Sequence, residues 1–417
     1  MDRRTFFKIA ASTGVALSTP WWARRARASA DSWGGPFWVT VHAAGGWDPT
    51  LLCDPKGNAT ADSTSPINDY LTSEILDIGP FRVAPVDGHQ TFFERFQDRL
   101  LVINGVDAQT VSHESGTRHT WSGSTDPNVP AINALTAAAA DVSPSMAYIS
   151  NGGYDQTGGL IAATRIPDPD DIYDLAYPDR LDSDDADSTL LTPSMHDRVQ
   201  AARDARLARL LQSTSLPREA RAMEMLERAR GGDNQLAVLA SYLPDDLDNS
   251  GNPLIAQAEV ACAAFRAGVS VSANLEIGGF DTHGDHDEDH RSAMVDFIAG
   301  ITFLMDEAER HGIADQIIVL MSSEFARTPW YNDTDGKDHW SVTSFMCMGP
   351  GITGGRVVGA TTGDQHARKV NASSLALDDS GVTINPAYIH ASLRDLAGIT
   401  DNPLAAPWPV GPSLPLF

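Results

Sequence analysis

Thirteen consecutive residues, Gly278–His290, read GGFDTHGDHDEDH, and eight of them can bind a proton or a metal ion. An apolar run, VSVSANLEI (Val269–Ile277), leads into them. Two readings stand open: a solvated acidic loop, or a metal site. Carboxylates and imidazoles are the donors that hard-to-borderline divalent cations prefer. Four other segments set similar residues beside apolar runs. PFWVTVHAAGGWD ends in Asp48, and RLLVINGV runs into a polar stretch with Ser112, His113 and His119. QIIVLMSSEFART carries Ser323, Glu324 and Arg327, and GKDHW places Asp338 and His339 just ahead of SVTSFMCMG. No single segment is specific, and the signal is their recurrence. Without cations, so many carboxylates in one pocket repel and raise one another's pKa values. One or two divalent ions remove that repulsion, and two ions a few ångströms apart can activate a nucleophile and clamp the leaving oxygen of an ester. The expectation for Gly278–His290 is therefore split. Asp281 and His283 belong to the site. His286, Asp287, Glu288, Asp289 and His290 form the solvated start of a helix, where acids suit the helix dipole. His42, His89, His196, His311 and His390 are read as structural.

The elements that position these residues follow from pattern. Strands are expected at Arg99–Val106, Val269–Ile277 and Ser341–Gly349, and at the start of Pro36–Asp48 and of Gln316–Thr328, each of which then runs into a turn. Helices are expected around Pro193–Gln212, Pro217–Arg230, Asn252–Gly268, Arg291–Gly312 and Asn385–Ile399, several closed by glycine. Apolar strands alternating with helices predict an α/β domain with a mostly parallel central sheet covered on both faces. In such sheets ligands bind beyond the carboxyl ends of the strands, where these chemical residues fall. From Ile166 the chain turns acidic and proline-rich, IPDPDDIYDLAYPDRLDSDDAD, then helical. Residues 166–253 are expected to form a helical insertion beside the core sheet.

The chain has 417 residues and a net charge of −25, which argues against a nucleic-acid partner. The amino terminus sets DRRTFFK before a short apolar stretch and the cleavage-like ARA and ASA triplets. That order predicts a signal peptide over residues 1–30, with Arg3-Arg4 pointing to the twin-arginine (Tat) export machinery. The location expected is periplasmic or secreted, with no membrane span after cleavage. Cys53, Cys262 and Cys347 lack zinc spacing and, at three, allow at most one disulfide. Cys262 and Cys347 sit in apolar contexts and read as small buried hydrophobes.

Taken in order, RRTFFK, GGWD, GGFDTH, SEFART and GKDHW resemble an exported bacterial family called domain of unknown function 1501. There the same places read GG-x-D, G-W-D-T-H, S-E-F-G-R-T and G-T-D-H-G. The resemblance runs from Arg3 to the last helix. It implies a three-layer fold of alkaline phosphatase type, within the alkaline phosphatase and sulfatase superfamily. That superfamily sets a metal-bound Asp after strand one, a Ser or Thr nucleophile after strand two, and Asp/His ligands later. Carried over, Asp48 is the first ligand, Asp281 and His283 the middle pair, and Glu324 stands in for the Asp of an Asp-His pair. His339, with Asp338, is the late ligand. Arg327 offers a planar fork for an ester oxyanion. Ser112 is the leading nucleophile, with Thr110 and Thr117 behind it and His113 as an alternative. Phe325 replaces an expected histidine, which weakens one metal subsite. No Cys-x-Pro-x-Arg motif is present, which excludes formylglycine chemistry. The implied function is a metal-dependent hydrolase of phosphate or sulfate esters using zinc, calcium, magnesium or manganese. The alternative is a non-catalytic exported binding or assembly protein, because family members resemble partners of another exported family of unknown function.

Overall fold

The computed structural model describes residues 33–417 apart from 141, 143, 167, 178–179, 183–184, 186, 214–215, 221, 224–237 and 240. The expected signal peptide, residues 1–30, lies outside the described residues, as does most of the helix expected over Pro217–Arg230.

An eight-stranded sheet forms the centre, in the order β12-β4-β11-β8-β1-β7-β5-β6. Its strands are β1 (Phe37–Ala43), β4 (Leu100–Asp107), β5 (Tyr148–Ser150), β6 (Ala163–Arg165), β7 (Ser272–Ile277), β8 (Ile317–Ser322), β11 (Val342–Met348) and β12 (Arg356–Val358). Two small antiparallel pairs lie outside it. They are β2 (Leu76–Ile78) with β3 (Phe81–Val83), and β9 (Ala326–Arg327) with β10 (His339–Trp340). Within the large sheet only β11 runs against its neighbours, β4 and β8. The α/β class with a mostly parallel sheet is thus observed.

The alternation of side chains along β1 shows the three layers. Phe37, Val39 and Val41 enter one core with Phe265, Phe297, Ile301 and Leu304. Trp38 points the other way, into a second core with Ile132, Leu135, Ile389 and Leu393. A strand buried on both faces has to be apolar at nearly every position, and β1, FWVTVHA, is buried throughout. The first core is closed by α1 (His89–Phe96), α6 (Pro253–Arg266) and α7 (His286–Arg310). The second is closed by α3 (Ile132–Ala139) and α8 (Pro386–Leu396), with α2 (His113–Ser122) lying against α8. Asn252 and Asn385 cap α6 and α8 by accepting from Leu254 and Tyr388 N–H, and each is followed by a proline. That is the pairing helix starts favour. Between Ile166 and Pro253 the described helices are α4 (Asp171–Ala176) and α5 (Pro193–Ser213), and no strand among the described residues there joins the central sheet. No helix among the described residues is long and apolar enough to cross a membrane.

Candidate metal centre

The parallel strands β1, β4, β7 and β8 all release the chain at one edge of the sheet. From β7 the chain delivers Asp281 and His283, from β8 Glu324, and from β4 His113, the first residue of α2. β10 comes just before β11. Because β11 is antiparallel, its first residue lies at this same edge, which carries His339 there.

Three imidazoles converge on the Asp281 carboxylate. His283 Nε2 and His339 Nε2 lie 3.1 and 3.2 Å from Oδ1, and His113 Nε2 lies 3.5 Å from Oδ2. His283 Nε2 and His339 Nε2 are 3.1 Å apart. The far nitrogen of each ring is anchored: His113 Nδ1 to Glu324 Oε1 at 2.8 Å, His283 Nδ1 to Asp338 Oδ1 at 2.9 Å, and His339 Nδ1 to the Val111 carbonyl at 2.7 Å. Carboxylates and carbonyls accept only, so each Nδ1 donates, and in the neutral ring each Nε2 is left as a bare acceptor. Three acceptor nitrogens and a carboxylate then face one another with no proton to share. A cation satisfies that arrangement, and anchoring of the far nitrogen is how ligand histidines are oriented. One ligand atom each from His113, Asp281 and His339 lies within 4.8 Å of the others. The cluster is open, with the Asp281, His283 and His113 side chains each nearly half exposed.

The Glu324 hydrogen bond raises the His113 pKa against the opposing effect of burial, so a cation has to displace a proton that this ring holds more firmly than a free imidazole does. Burial pushes Asp281 up, but other interactions, led by the Arg327 hydrogen bond, outweigh it and hold the carboxyl below its usual value.

Several expected ligands sit one step back. Glu324 is buried. Its Oε1 accepts from Gly45 N–H at 2.8 Å as well as from His113, and Oε2 accepts from Ser323 Oγ and lies 3.2 Å from His42 Nε2. With Oε1 taken by Gly45 N–H and His113, Glu324 serves to orient His113. His42, read as structural, braces Glu324 from behind. Asp338 orients His283 and accepts from Asn332 Nδ2. His113, read as catalytic, is a donor atom of the cluster.

Arg327 faces the cluster, and no part of it is free for a substrate oxyanion at the surface. It is fully buried and donates from Nε to the Gly46 carbonyl, from Nη1 to the Lys337 carbonyl, and from Nη2 to the Gly45 carbonyl and Asp281 Oδ1. Its fork clamps three loops together. Ser112 is exposed and caps α2 one residue before His113, without a capping bond from its side chain. Thr110 accepts from Ser112 N–H, and Thr117 donates to the His113 carbonyl. His119 is buried and bonded to the Ala108 carbonyl. Phe325 is fully buried with its ring centroid 4.3 Å from that of His339 and 4.9 Å from that of His113, an apolar wall beside the two imidazoles.

Asp48 does not reach the cluster ligands. It lies beneath them, fully buried, bonded to Lys337 Nζ at 2.6 Å, to Thr50 N–H and Oγ1–H, and to His286 Nε2. His286 and His290 correct the reading of a solvated helix start, because both side chains are fully buried against Asp48. Of the acids between them, Glu288 and Asp289 are exposed at the first turn of α7, while Asp287 is half-buried and accepts from the Tyr331 hydroxyl. The available signal was their i,i+4 spacing, which sets two side chains on one helix face, yet the surrounding acids masked it. Lys337 was not singled out in the sequence at all. Burial alone would raise the Asp48 pKa, but the Lys337 charge and His286 N–H hold it far below the carboxylate range.

A sheet whose parallel strand ends gather histidines and a carboxylate defines an α/β protein with a group of residues that could hold a metal ion. The chain belongs to the family described as protein of unknown function (DUF1501), whose model matches residues 38–387. Among curated proteins no sequence matches it. Solved structures similar to it are of alkaline phosphatase and sulfatase type. They include a phosphonate monoester hydrolase of Agrobacterium radiobacter, 11% identical, TM-score 0.36, with 87% of this chain and 74% of that chain covered. The alkaline phosphatase of the Antarctic bacterium TAB5 is 12% identical, TM-score 0.32, with 76% and 92% covered. A 2-O GAG sulfatase is 9% identical, TM-score 0.33, with 87% and 71% covered. Overlaps of this size do not carry a reaction from one chain to another.

Proposed function

We propose that the chain binds a divalent metal ion through His113, Asp281, His283 and His339 and hydrolyses phosphate or sulfate esters. The observation that supports this reading is the convergence of acceptor atoms whose far sides are all anchored by other groups. The donor set, three imidazoles and one carboxylate, suits zinc or manganese better than an all-oxygen calcium site. When bound, such an ion supplies Lewis acidity toward an anionic oxygen. The protein's own groups do the rest. Glu324, Asp338 and the Val111 carbonyl fix ring orientation, and Arg327 fixes the Asp281 carboxylate. The Ser112 hydroxyl, on the residue before His113 at the amino end of α2, would attack the ester, and a helix amino end favours an anion. Export by the Tat route to the periplasm or beyond completes the proposal.

One observation favours the second reading, an exported binding or assembly protein: the guanidinium best suited to an ester oxyanion is sealed inside the protein. Turnover separates the two. The purified chain, loaded with zinc or manganese, should hydrolyse an aryl phosphate or aryl sulfate, and Asp281→Asn should abolish it. Metal-loaded protein without turnover on either ester would sink the hydrolase reading and leave the binding one.

A further inference from the structure

Resemblance to the superfamily makes Asp48 a metal ligand, and the residues around it do not fit that role. We infer that the Lys337 ammonium occupies the place of a second cation, so that the site holds a single metal ion. The inference rests on the metal reading of the outer cluster.

The argument is a census of lone pairs. A carboxylate has about four acceptor positions. Asp48 Oδ1 takes Thr50 N–H at 2.8 Å and Thr50 Oγ1–H at 2.6 Å, and Oδ2 takes Lys337 Nζ at 2.6 Å and His286 Nε2 at 3.2 Å. None is left for a metal. The histidines are equally committed, and their tautomers follow step by step. Asp48 N–H donates to His290 Nε2 at 2.8 Å, so the His290 proton is on Nδ1. That proton goes to Thr282 Oγ1 at 3.0 Å. Thr282 then gives its own proton to His286 Nδ1 at 2.7 Å, which leaves His286 Nε2 as the donor to Asp48. The hydrogen bonds close into a ring with no spare acceptor.

The charges also close. Two neutral imidazoles, one carboxylate and one ammonium sum to zero in a fully buried space. Lys337 is held further by Asn68 Oδ1 at 2.9 Å and by the Tyr331 ring, 5.2 Å from Nζ. Asn68 in turn donates to Thr50 Oγ1. A dication entering here would have to displace the ammonium or leave uncompensated charge in a low-dielectric interior, which is strongly unfavourable. On the outer side Phe325 removes a further nitrogen donor. The ring also grips the ligand-bearing loops from below, because Thr282 lies between Asp281 and His283, and Lys337 lies two residues before His339. Lys337 and Asp48 are therefore positioning residues.

Metal stoichiometry tests this. The full chain is stripped, titrated with cobalt(II) or zinc, and followed by visible absorption and elemental analysis. One equivalent per chain is expected. The charge-neutral double variant Asp48→Asn/Lys337→Met should still take one equivalent, because neither residue supplies a ligand. Two equivalents in the native chain, one of them lost in the double variant, would overturn the inference while leaving the outer site intact. No bound metal in the native chain would overturn the metal reading and the inference with it. The native titration decides even if the double variant fails to fold.

Discussion

At the scale of single residues, the distinction that matters is between atoms that face the cation position and atoms that hold those atoms still. Glu324 and Asp338 are of the second kind. Removing the negative charge of such a partner leaves the ligand in place but loosens its tautomer and orientation. Glu324→Gln should therefore weaken zinc affinity by roughly 10–100-fold without abolishing binding. A competition titration against a chelator measures it, and complete loss of metal would make Glu324 a ligand after all. Arg327 is a clamp. Replacing it with methionine leaves three buried carbonyls without a donor, each of which costs about 1–3 kcal/mol. Arg327→Met should lower the denaturant midpoint by the equivalent of several kcal/mol. Weakened phosphate or sulfate binding with full stability would return Arg327 to its expected role at the oxyanion.

Among the elements, α2 is the one that must be placed most closely, because its first residue is a proposed metal ligand. Gly116 sets the distance. A Cβ there would sit 2.7 Å from the Glu324 carbonyl oxygen and 3.0 Å from Glu324 Cβ. Glycine inside a helix ordinarily destabilises it by about 1 kcal/mol relative to alanine, so propensity predicts that Gly116→Ala stabilises the protein. The packing predicts the reverse. Pushing α2 off the β8 end separates His113 from Glu324, so Gly116→Ala should lower both the melting temperature and the metal affinity. A rise in melting temperature with unchanged affinity would refute the close-packing account. Gly45 and Gly46 answer to a similar constraint at the end of β1. Their φ angles of +123° and +90° lie where side chains are strained, and Gly46 backs onto Phe325. The turn that Arg327 clamps is therefore available only to glycine.

Across the whole molecule, stability should track the buried histidines as pH falls. Burial holds His89 down to about 4 and His390 down to about 3, and it also lowers His119, His286 and His290. Below about pH 6.5 the unfolded chain binds protons at these positions that the folded chain does not. Stability must then fall as pH falls, by about 1.4 kcal/mol per unit for each such histidine. For His89 the loss ends near pH 4 and for His390 near pH 3, where the folded state takes up the proton too. His113, whose pKa is raised, works in the opposite sense above about pH 6.5 and contributes a constant amount below it, so it does not change this slope. Urea midpoints should drop between pH 7 and pH 5, and His390→Asn should flatten that slope. A midpoint that stays constant over this range would count against the burial of these rings as described.

Sequence alone determined the alternation of apolar strands and helices, because strands covered on both faces must be apolar at nearly every position, and β1 and β8 are buried along their whole length. It also marked Asp281, His283 and His339, since ionisable residues at strand ends have few structural reasons to recur. It could not say which of these donate and which brace. Glu324 and Asp338 look like ligands in a sequence, and only the placement of His113 and His283 against them shows that Glu324 Oε1 and Asp338 Oδ1 each hold a ring in place. Nor could it see that Asp48 is answered by Lys337, 289 positions away in the chain. Pairing across that distance leaves no local pattern. The direction of β11 was decided in three dimensions as well. A residue just before a parallel strand lies at the wrong edge of the sheet, and only the reversal of β11 brings His339 to the edge where β7 leaves Asp281.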